Sequence, residues 1–350
     1  MKTQTIEIAG RRIGLGEPPY IVAEMSANHL GDLRRAFAIL EAARDAGVDA
    51  VKMQTYTADT ITLDHDGPEF LIHGGLWDGR RLHELYQEAH TPWDWHEALF
   101  AKAKELGLVL FSSPFDETAI DLLESLDAPA YKIASFELVD IPLIQRAAAS
   151  GKPVIMSTGM ADLGEIETAV RAAREAGCEQ LLLLHCVSGY PTPVEDSNLL
   201  TLPHLAQAFG CPVGLSDHTP GTAVAVAAVA LGAAMVEKHF TLRRADGGPD
   251  AAFSLEPEEL ADLTRNCRAA HAALGCVNYA RAPSEQRSAA FRRSLYVAKP
   301  IRAGESLSAD NVRSVRPANG LPPKFLPEVL GRRARVDLAA GTPLAWHLLD

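Results

Sequence analysis

Residues 213–240 read VGLSDHTPGTAVAVAAVALGAAMVEKHF, and their order decides the fold. A short apolar run, 213–218, ends in Ser-Asp-His. Proline and glycine follow, then an Ala/Val-rich stretch over 222–234, then a second short run, 235–240, ending in Glu-Lys-His-Phe. The middle stretch is too short to span a bilayer and reads as a buried helix, with Gly232 marking its end. Neither flanking run alternates polar and apolar residues strictly, as expected for strands buried on both faces of a parallel sheet. The unit is therefore strand, helix, strand, and each strand closes on a histidine.

Working outward, six more runs of the same kind lie at 20–25, 50–55, 109–114, 130–135, 154–158 and 181–187. Amphipathic Ala/Leu/Glu/Arg segments occupy 33–46, 93–106, 162–176 and 257–274, and Gly47, Gly107, Gly151 and Gly177 punctuate helix ends. Eight β-then-α units over roughly 250 residues predict an α/β fold, a (β/α)8 TIM barrel. A doubly wound sheet is the main competitor, but no G-x-G-x-x-G follows the first strand, which weakens a dinucleotide-binding reading. The barrel is expected over 1–281. A polar, basic linker follows at 282–293, then a small β-rich domain at 294–350, where short strands alternate with turn signals. The second connection, 56–91, is unusually long. It runs into GGLWDGRRLHELYQEAHTPWDWH (74–96) and is expected to lie over the barrel mouth.

Composition narrows the partners. The chain has 350 residues, 47% hydrophobic and 22% charged, which is ordinary for a soluble globular protein. A net charge of −12 argues against nucleic acid or an anionic membrane, so any anionic ligand needs a local concentration of positive charge. The five cysteines include no C-x-x-C pair and their number is odd, so a reduced cytoplasm is expected and structural zinc is not. The N-terminal MKTQTIEIAGRRIG has no apolar core of the kind that marks a secretory signal.

In a barrel, reactive groups gather at the C-terminal strand ends. In order, those ends offer Glu24, Asn28 and His29; Lys52 and Gln54; Ser112 and Ser113; Lys132, Ser135 and Glu137; Ser157; Ser188 and Tyr190; Ser216 and His218; Glu237 and His239. A lysine buried without a partner is costly, so Lys52 and Lys132 each call for an anion or a carboxylate. His218 and His239 end adjacent strands and can converge on one ion. Two imidazoles with few soft ligands suit Mn²⁺, Mg²⁺, Fe²⁺ or Zn²⁺; Mg²⁺ prefers oxygen, so geometry favours Mn²⁺. Each residue also has a plain structural reading. A lone strand-end histidine is usually a hydrogen-bonded core residue, Glu24 or Glu237 could merely pair with Lys52 or Lys238, and Trp93, Trp95, His90 and His96 read as a helix start with packed aromatics. Their joint occurrence at eight successive strand ends favours chemistry.

At these residues the chain resembles the N-acylneuraminate (sialic acid) synthase family over nearly its whole length. The resembling segments are AEMSANHLGD, VKMQTYT, YKIASFE, STGM, YPTP, GLSDHT, EKHFTL and GGPD, with SVRPANGL marking an antifreeze-like (SAF) C-terminal domain. The 74–96 block, AFSLEP and VRPANGLPPKF resemble the branch that uses a diacetamido-trideoxyhexose. The resemblance implies an aldol-like condensation of phosphoenolpyruvate with an acylated amino sugar. It implies His218 and His239 as ligands of a divalent metal, Mn²⁺ or Mg²⁺. Lys52, Lys132, Ser135, Ser157 and Ser216 would hold the carboxylate and phosphate of phosphoenolpyruvate, with Gln54 and Ser112 neighbouring them. Glu24 and Glu137 would be acid–base or substrate-orienting carboxylates; which of them relays the proton stays open. Tyr190, Glu237 and Asp250 would face the sugar. Ser188 stands where sialic acid synthases have asparagine, which fits a different sugar. Arg316 would be delivered by the C-terminal domain to a barrel, that of the other subunit in a domain-swapped homodimer. Three rival readings remain: the same chemistry on N-acetylmannosamine or a legionaminic precursor, a Schiff-base aldolase at Lys132, and a carbohydrate-binding protein without catalysis.

Overall fold

Side-chain parity along the strands sorts the first unit into two cores. The computed structural model describes residues 5–350 and divides into two units, Met1–Gly275 and Cys276–Asp350. The first unit opens with a hairpin, β1 (Thr5–Ile8) and β2 (Arg11–Gly14). Eight parallel strands then close a barrel: β3 (Tyr20–Glu24), β4 (Ala50–Thr55), β5 (Val109–Pro114), β6 (Tyr131–Ile133), β7 (Val154–Ser157), β8 (Leu181–Cys186), β9 (Val213–Asp217) and β10 (Met235–His239), with β10 pairing β3. This is the predicted (β/α)8 barrel, strand for strand.

Alternate residues of each strand face opposite sides. One set, including Ile21, Val51, Met53, Leu110, Tyr131, Met156, Leu183 and Val236, packs with the apolar faces of the helices. The other set, including Tyr20, Val22, Ala50, Phe111, Ala130, Ile155, Leu182, Leu184 and Met235, fills the barrel interior, and Ile6, Ile8 and Ile13 of the hairpin join it. The hairpin thus plugs the N-terminal end of the barrel.

The helices begin where their caps predict. Asp162 and Glu165 form a reciprocal capping box at the start of Leu163–Glu175. Asp32, Asp116 and Asp140 accept backbone N–H groups at the starts of Leu33–Asp45, Glu117–Ser125 and Ile141–Ala148. Pro257 opens Pro257–Leu274 at a position where its missing N–H is harmless. The long second connection is not structureless: it carries the helices Ala58–Ile61 and Leu82–Ala89 and a bridge between Leu71 and Arg81. Among the described residues no helix is long and apolar enough to cross a membrane.

The second unit pairs β11 (Ser294–Val297) with β12 (Val312–Val315) antiparallel around a small core of Leu295, Val297, Ile301, Leu307, Val329, Leu338 and Leu344. The segment read as a linker, 282–293, falls inside this unit and contains the turns Pro283–Glu285 and Ser288–Phe291.

Candidate active site

The interior parity that buries apolar side chains low in the barrel carries polar ones at the C-terminal strand ends. Lys52 is 3% exposed and Lys132 2% exposed, so both ammonium groups have left bulk water. Lys52 Nζ pairs with Glu24, lies 3.7 Å from Glu237 Oε1 and donates to Ser113 Oγ at 3.2 Å. Lys132 Nζ lies 3.8 Å from the same Glu237 oxygen, and Ser216 Oγ donates to it at 3.2 Å. Glu24 also accepts from Ser26 N at 2.7 Å.

The charges of this group are tuned by burial against partners. Burial raises the Glu24 carboxyl to about 7, with Lys52 only partly opposing it. For Lys52 burial works downward, but Glu237 and Glu24 prevail and keep its pKa above the ordinary lysine value. Burial, reinforced by Lys52, holds Lys132 below that value despite Glu237. Burial alone would push Glu237 up, but Lys132, Lys52 and His218 together hold it down. Glu137, at the rim, is raised to about 7 chiefly by burial. Buried polar atoms normally find partners; Ser157 Oγ, Glu237 Oε2 and Glu137 Oε2 have none. That leaves hydroxyl and carboxylate groups free beside two buried cations.

One layer above stand the imidazoles. The His218 and His239 rings are 5.3 Å apart. His218 Nδ1 lies 3.1 Å from Val187 O, so it carries a proton. His239 Nδ1 is buried without a partner, and burial, reinforced by His218 and the nearby lysines, holds this imidazole well below its ordinary pKa. For His218 burial works downward, but Cys186 and Val187 O prevail and keep its pKa above the ordinary histidine value. His239 therefore offers a neutral nitrogen to a divalent ion, and His218 would join it as donor once its Nε2 proton is given up. Among the described residues no set of three or more His, Cys, Asp or Glu side chains is arranged to hold a metal, so other ligands would be water or substrate oxygens. Aromatic rings frame the pair. Tyr190 lies 4.5 Å from His218, Phe253 lies 4.8 Å from His239, and Tyr190 and Phe253 are 5.2 Å apart.

Of the residues singled out in the sequence, Glu24, Lys52, Lys132, Ser216, Glu237, His218, His239 and Tyr190 come together here. Ser157 ends β7 on the inward face. Gln54 is half-buried and shares its face with Lys52. Ser135 Oγ accepts from Gly159 N at 3.2 Å, and Ser188 Oγ lies 3.9 Å from Cys186 Sγ. A Cβ at Gly159 would press on the hydroxyls of both Ser135 and Ser188, which would have to turn away to admit it. Asp250 is buried and accepts from Ala27 N at 3.3 Å. Asn28 and His29 act structurally: Asn28 Nδ2 donates to Phe240 O and Ser254 Oγ, and His29 meets Thr91.

Ser112 is a correction. Its hydroxyl donates to Met53 O and bonds Thr55 Oγ1 at 2.6 Å, and Thr55 Oγ1 continues to His96 Nε2 at 2.9 Å. It therefore faces the helical layer, and parity puts Ser113 inward in its place, on Lys52. Arg316 belongs to the second unit and is exposed there. Sequence reasoning missed Ser113 as the inward serine, Cys186, Phe253 and Trp77; the parity of β5 and β8 carries the signal for the first two.

Comparisons with known proteins agree with this fold. The NeuB family model matches residues 39–279 and the SAF domain model matches 292–350. The chain is 45% identical over 330 residues to a pseudaminic acid synthase of Helicobacter pylori, covering 94% of this chain and 97% of that one. It is 38% identical over 318 residues to an N,N'-diacetyllegionaminic acid synthase of Campylobacter jejuni, covering 90% and 95%. The crystal structure of an N-acetylneuraminic acid synthetase from Leptospira borgpetersenii superposes with a TM-score of 0.73 at 32% identity, over 82% of this chain and 95% of that one.

Proposed function

The chain belongs to the NeuB family, and from that membership we propose that it joins phosphoenolpyruvate to 2,4-diacetamido-2,4,6-trideoxy-β-L-altropyranose, giving pseudaminic acid and phosphate. One observation carries the chemistry: Lys52 and Lys132 are buried side by side at the barrel mouth, next to unpartnered hydroxyl and carboxylate oxygens and beneath a pair of imidazoles. The identity of the sugar is supported by the greater likeness to pseudaminic than to legionaminic acid synthases.

C3 of phosphoenolpyruvate attacks the aldehyde carbon of the open-chain sugar. A C–C bond forms, and the aldehyde oxygen takes up a proton. Water adds at C2 and loses its proton. The bond from C2 to the bridging oxygen of the phosphate then breaks, phosphate leaves with the electron pair and takes the proton of the new C2 hydroxyl, and C2 becomes a ketone. Lys52 and Lys132 neutralise the carboxylate and phosphate through charge-assisted hydrogen bonds, and the serine hydroxyls orient them. Because these groups are already fixed before substrate arrives, little reorganisation is needed as charge develops. Glu24, tied to Lys52 and Ser26 N, positions the lysine. Glu137 is suited to moving the proton, since it titrates at about 7 and its Oε2 is free. A divalent ion, Mn²⁺ or Mg²⁺, held by His218 and His239 would supply Lewis-acid polarisation of the sugar carbonyl. Tyr190, Ser188 and Asp250 line the sugar side. A homodimer in which exposed Arg316 completes the sugar site of the second copy belongs to the same proposal.

The test is phosphate release from phosphoenolpyruvate with three sugars side by side: the diacetamido-trideoxy altrose, the legionaminic precursor and N-acetylmannosamine. Turnover with the first is expected to exceed the others. Preference for N-acetylmannosamine would overturn the sugar assignment, and no phosphate release with any sugar would overturn the reaction.

A further inference from the structure

The insert that crosses the mouth is built to present one side chain. Its base is closed by Ile72 N donating to Arg80 O and Gly79 N donating to Ile72 O, both at 2.9 Å. At the tip, Gly74 and Gly75 adopt φ of 81° and 72°, which residues with a Cβ enter only under strain, and Gly74 N donates to Asp78 Oδ1. This turn leaves Leu76 49% exposed but folds the adjacent Trp77 inward, half-buried. Trp77 Nε1 donates to Pro249 O at 3.1 Å, which ties the insert to the segment carrying Asp250. The indole lies 5.7 Å from the Tyr190 ring at an interplanar angle of 51°, and Tyr190 lies 4.5 Å from His218. Trp77 is thus the outermost ring of a series that begins at the imidazole pair and ends at the mouth. With its only donor already satisfied, the indole has nothing but carbon surface to offer. Such a surface suits C–H groups and methyls, not the carboxylate or phosphate held by the lysines.

We infer that Trp77 is a specificity-determining residue, forming with Tyr190 the wall against which the methyl-bearing, non-reacting end of the acylated sugar packs. The inference rests on the proposed reaction and adds to it the feature that selects the sugar. A deoxy carbon and a second acetamido group present more apolar surface to this wall than a hydroxylated tail does. An apolar wall favours the former through burial, while its rejection of an added hydroxyl is modest.

The experiment compares full-length wild type, Trp77→Ala, Trp77→Phe and Leu76→Ala by initial rates of phosphate release, varying each substrate at saturating levels of the other. Trp77→Ala is expected to raise the KM for the diacetamido sugar about tenfold, the loss of one aromatic contact of about 1.4 kcal/mol, with the phosphoenolpyruvate KM within about twofold. Trp77→Phe keeps the ring without the N–H and should recover most of the loss. Leu76→Ala, on the same turn, should change neither KM. The preference for the diacetamido sugar over N-acetylmannosamine should shrink in Trp77→Ala. An unchanged sugar KM in Trp77→Ala, an equal rise in both KM values, or the same effect from Leu76→Ala would overturn the assignment. Wild-type protein that releases no phosphate with any sugar would overturn both this inference and the reaction beneath it, and is recognised before any variant is made.

Discussion

Two buried lysines, Lys132 facing into the barrel and Lys238 facing the helices, make opposite predictions. Lys238 is 0% exposed and its ammonium donates to Asp217 Oδ2 at 2.7 Å and to Thr219 O. It faces outward, between sheet and helices, where no substrate reaches. Replacing it with methionine leaves a buried carboxylate whose remaining partners are Thr219 N and Oγ1, at 2.8 and 2.7 Å. Removing one partner of a buried pair costs about 3–5 kcal/mol; the two surviving bonds place this case near 3 kcal/mol, or roughly 6 °C in Tm at about 2 °C per kcal/mol. Lys132→Met differs. Its ion-pair carboxylate, Glu237, keeps Lys52 at 3.7 Å and Ser216 at 3.2 Å, while the desolvation that depresses Lys132 disappears. Stability is therefore expected to change by less than about 1 kcal/mol, because replacing a poorly compensated buried charge by an apolar group of similar volume is often neutral or stabilising. The anion site, however, loses a cation, and kcat/KM for phosphoenolpyruvate should fall at least about 100-fold, the loss of one to two charge-assisted bonds. Urea unfolding and phosphate release on the same preparations decide it. Equal destabilisation by the two substitutions, or a drop beyond about tenfold in kcat/KM for folded Lys238→Met, would refute the division between a structural and a functional lysine.

Three further outcomes follow from the same geometry. His239→Ala should abolish metal-dependent turnover and weaken Mn²⁺ binding in a direct titration of the protein; full activity in metal-stripped enzyme would remove the metal role. Ser113→Ala should raise the phosphoenolpyruvate KM, whereas Ser112→Ala should lower stability by about 1 kcal/mol, a typical buried hydrogen bond, and leave both KM values alone; the reverse pattern would undo the parity assignment. Burial lowers the His96 pKa to about 4, so its neutral ring contributes full stability above the unfolded value near 6.5, and that contribution is lost as pH falls from 6.5 toward 4. Wild type should therefore lose about 2–3 kcal/mol more than His96→Gln between pH 7 and pH 4, read by denaturant unfolding at each pH; parallel losses would contradict it.

The barrel was legible because each of its strands is a short apolar run with no competing period, and because caps such as Asp162 with Glu165 mark helix starts within the sequence itself. Helices such as Glu117–Ser125 and Ile141–Ala148 carry equally readable aspartate caps that the amphipathic pattern alone passes over. The hairpin at Thr5–Gly14 was not legible. It turns at Ala9-Gly10, with φ of 48° and 82°, a primed turn that normally announces itself with asparagine or aspartate before the glycine. At the site, Lys52 with Gln54, Ser216 with His218 and Glu237 with His239 are legible as pairs because spacing by two fixes a shared face. Ser112 and Ser113 are alike in residue type, so they are ordered only through the parity of β5, where Phe111, paired with Lys52, puts Ser113 inside. Trp77 and Phe253 reach the mouth through loops 56–91 and 240–256, whose paths depend on tertiary contacts such as the bond from Trp77 to Pro249 that no local pattern encodes.

The isoleucine plug at the foot of the barrel has a kinetic corollary. With Ile6, Ile8 and Ile13 packed into the interior core, the barrel is a vessel with one entrance, and everything that reacts must arrive and depart through it. The lysine-lined floor lies one layer below the imidazoles, since Glu237 and Ser216 precede His239 and His218 by two residues on their strands. A sugar seated at the imidazole level therefore stands in the doorway of the anion beneath it. With phosphoenolpyruvate on the lysines and the sugar at the imidazoles, as proposed, filling would proceed from the bottom up: phosphoenolpyruvate first, sugar second, with the nonulosonic acid withdrawing before the floor is emptied of phosphate and loaded again.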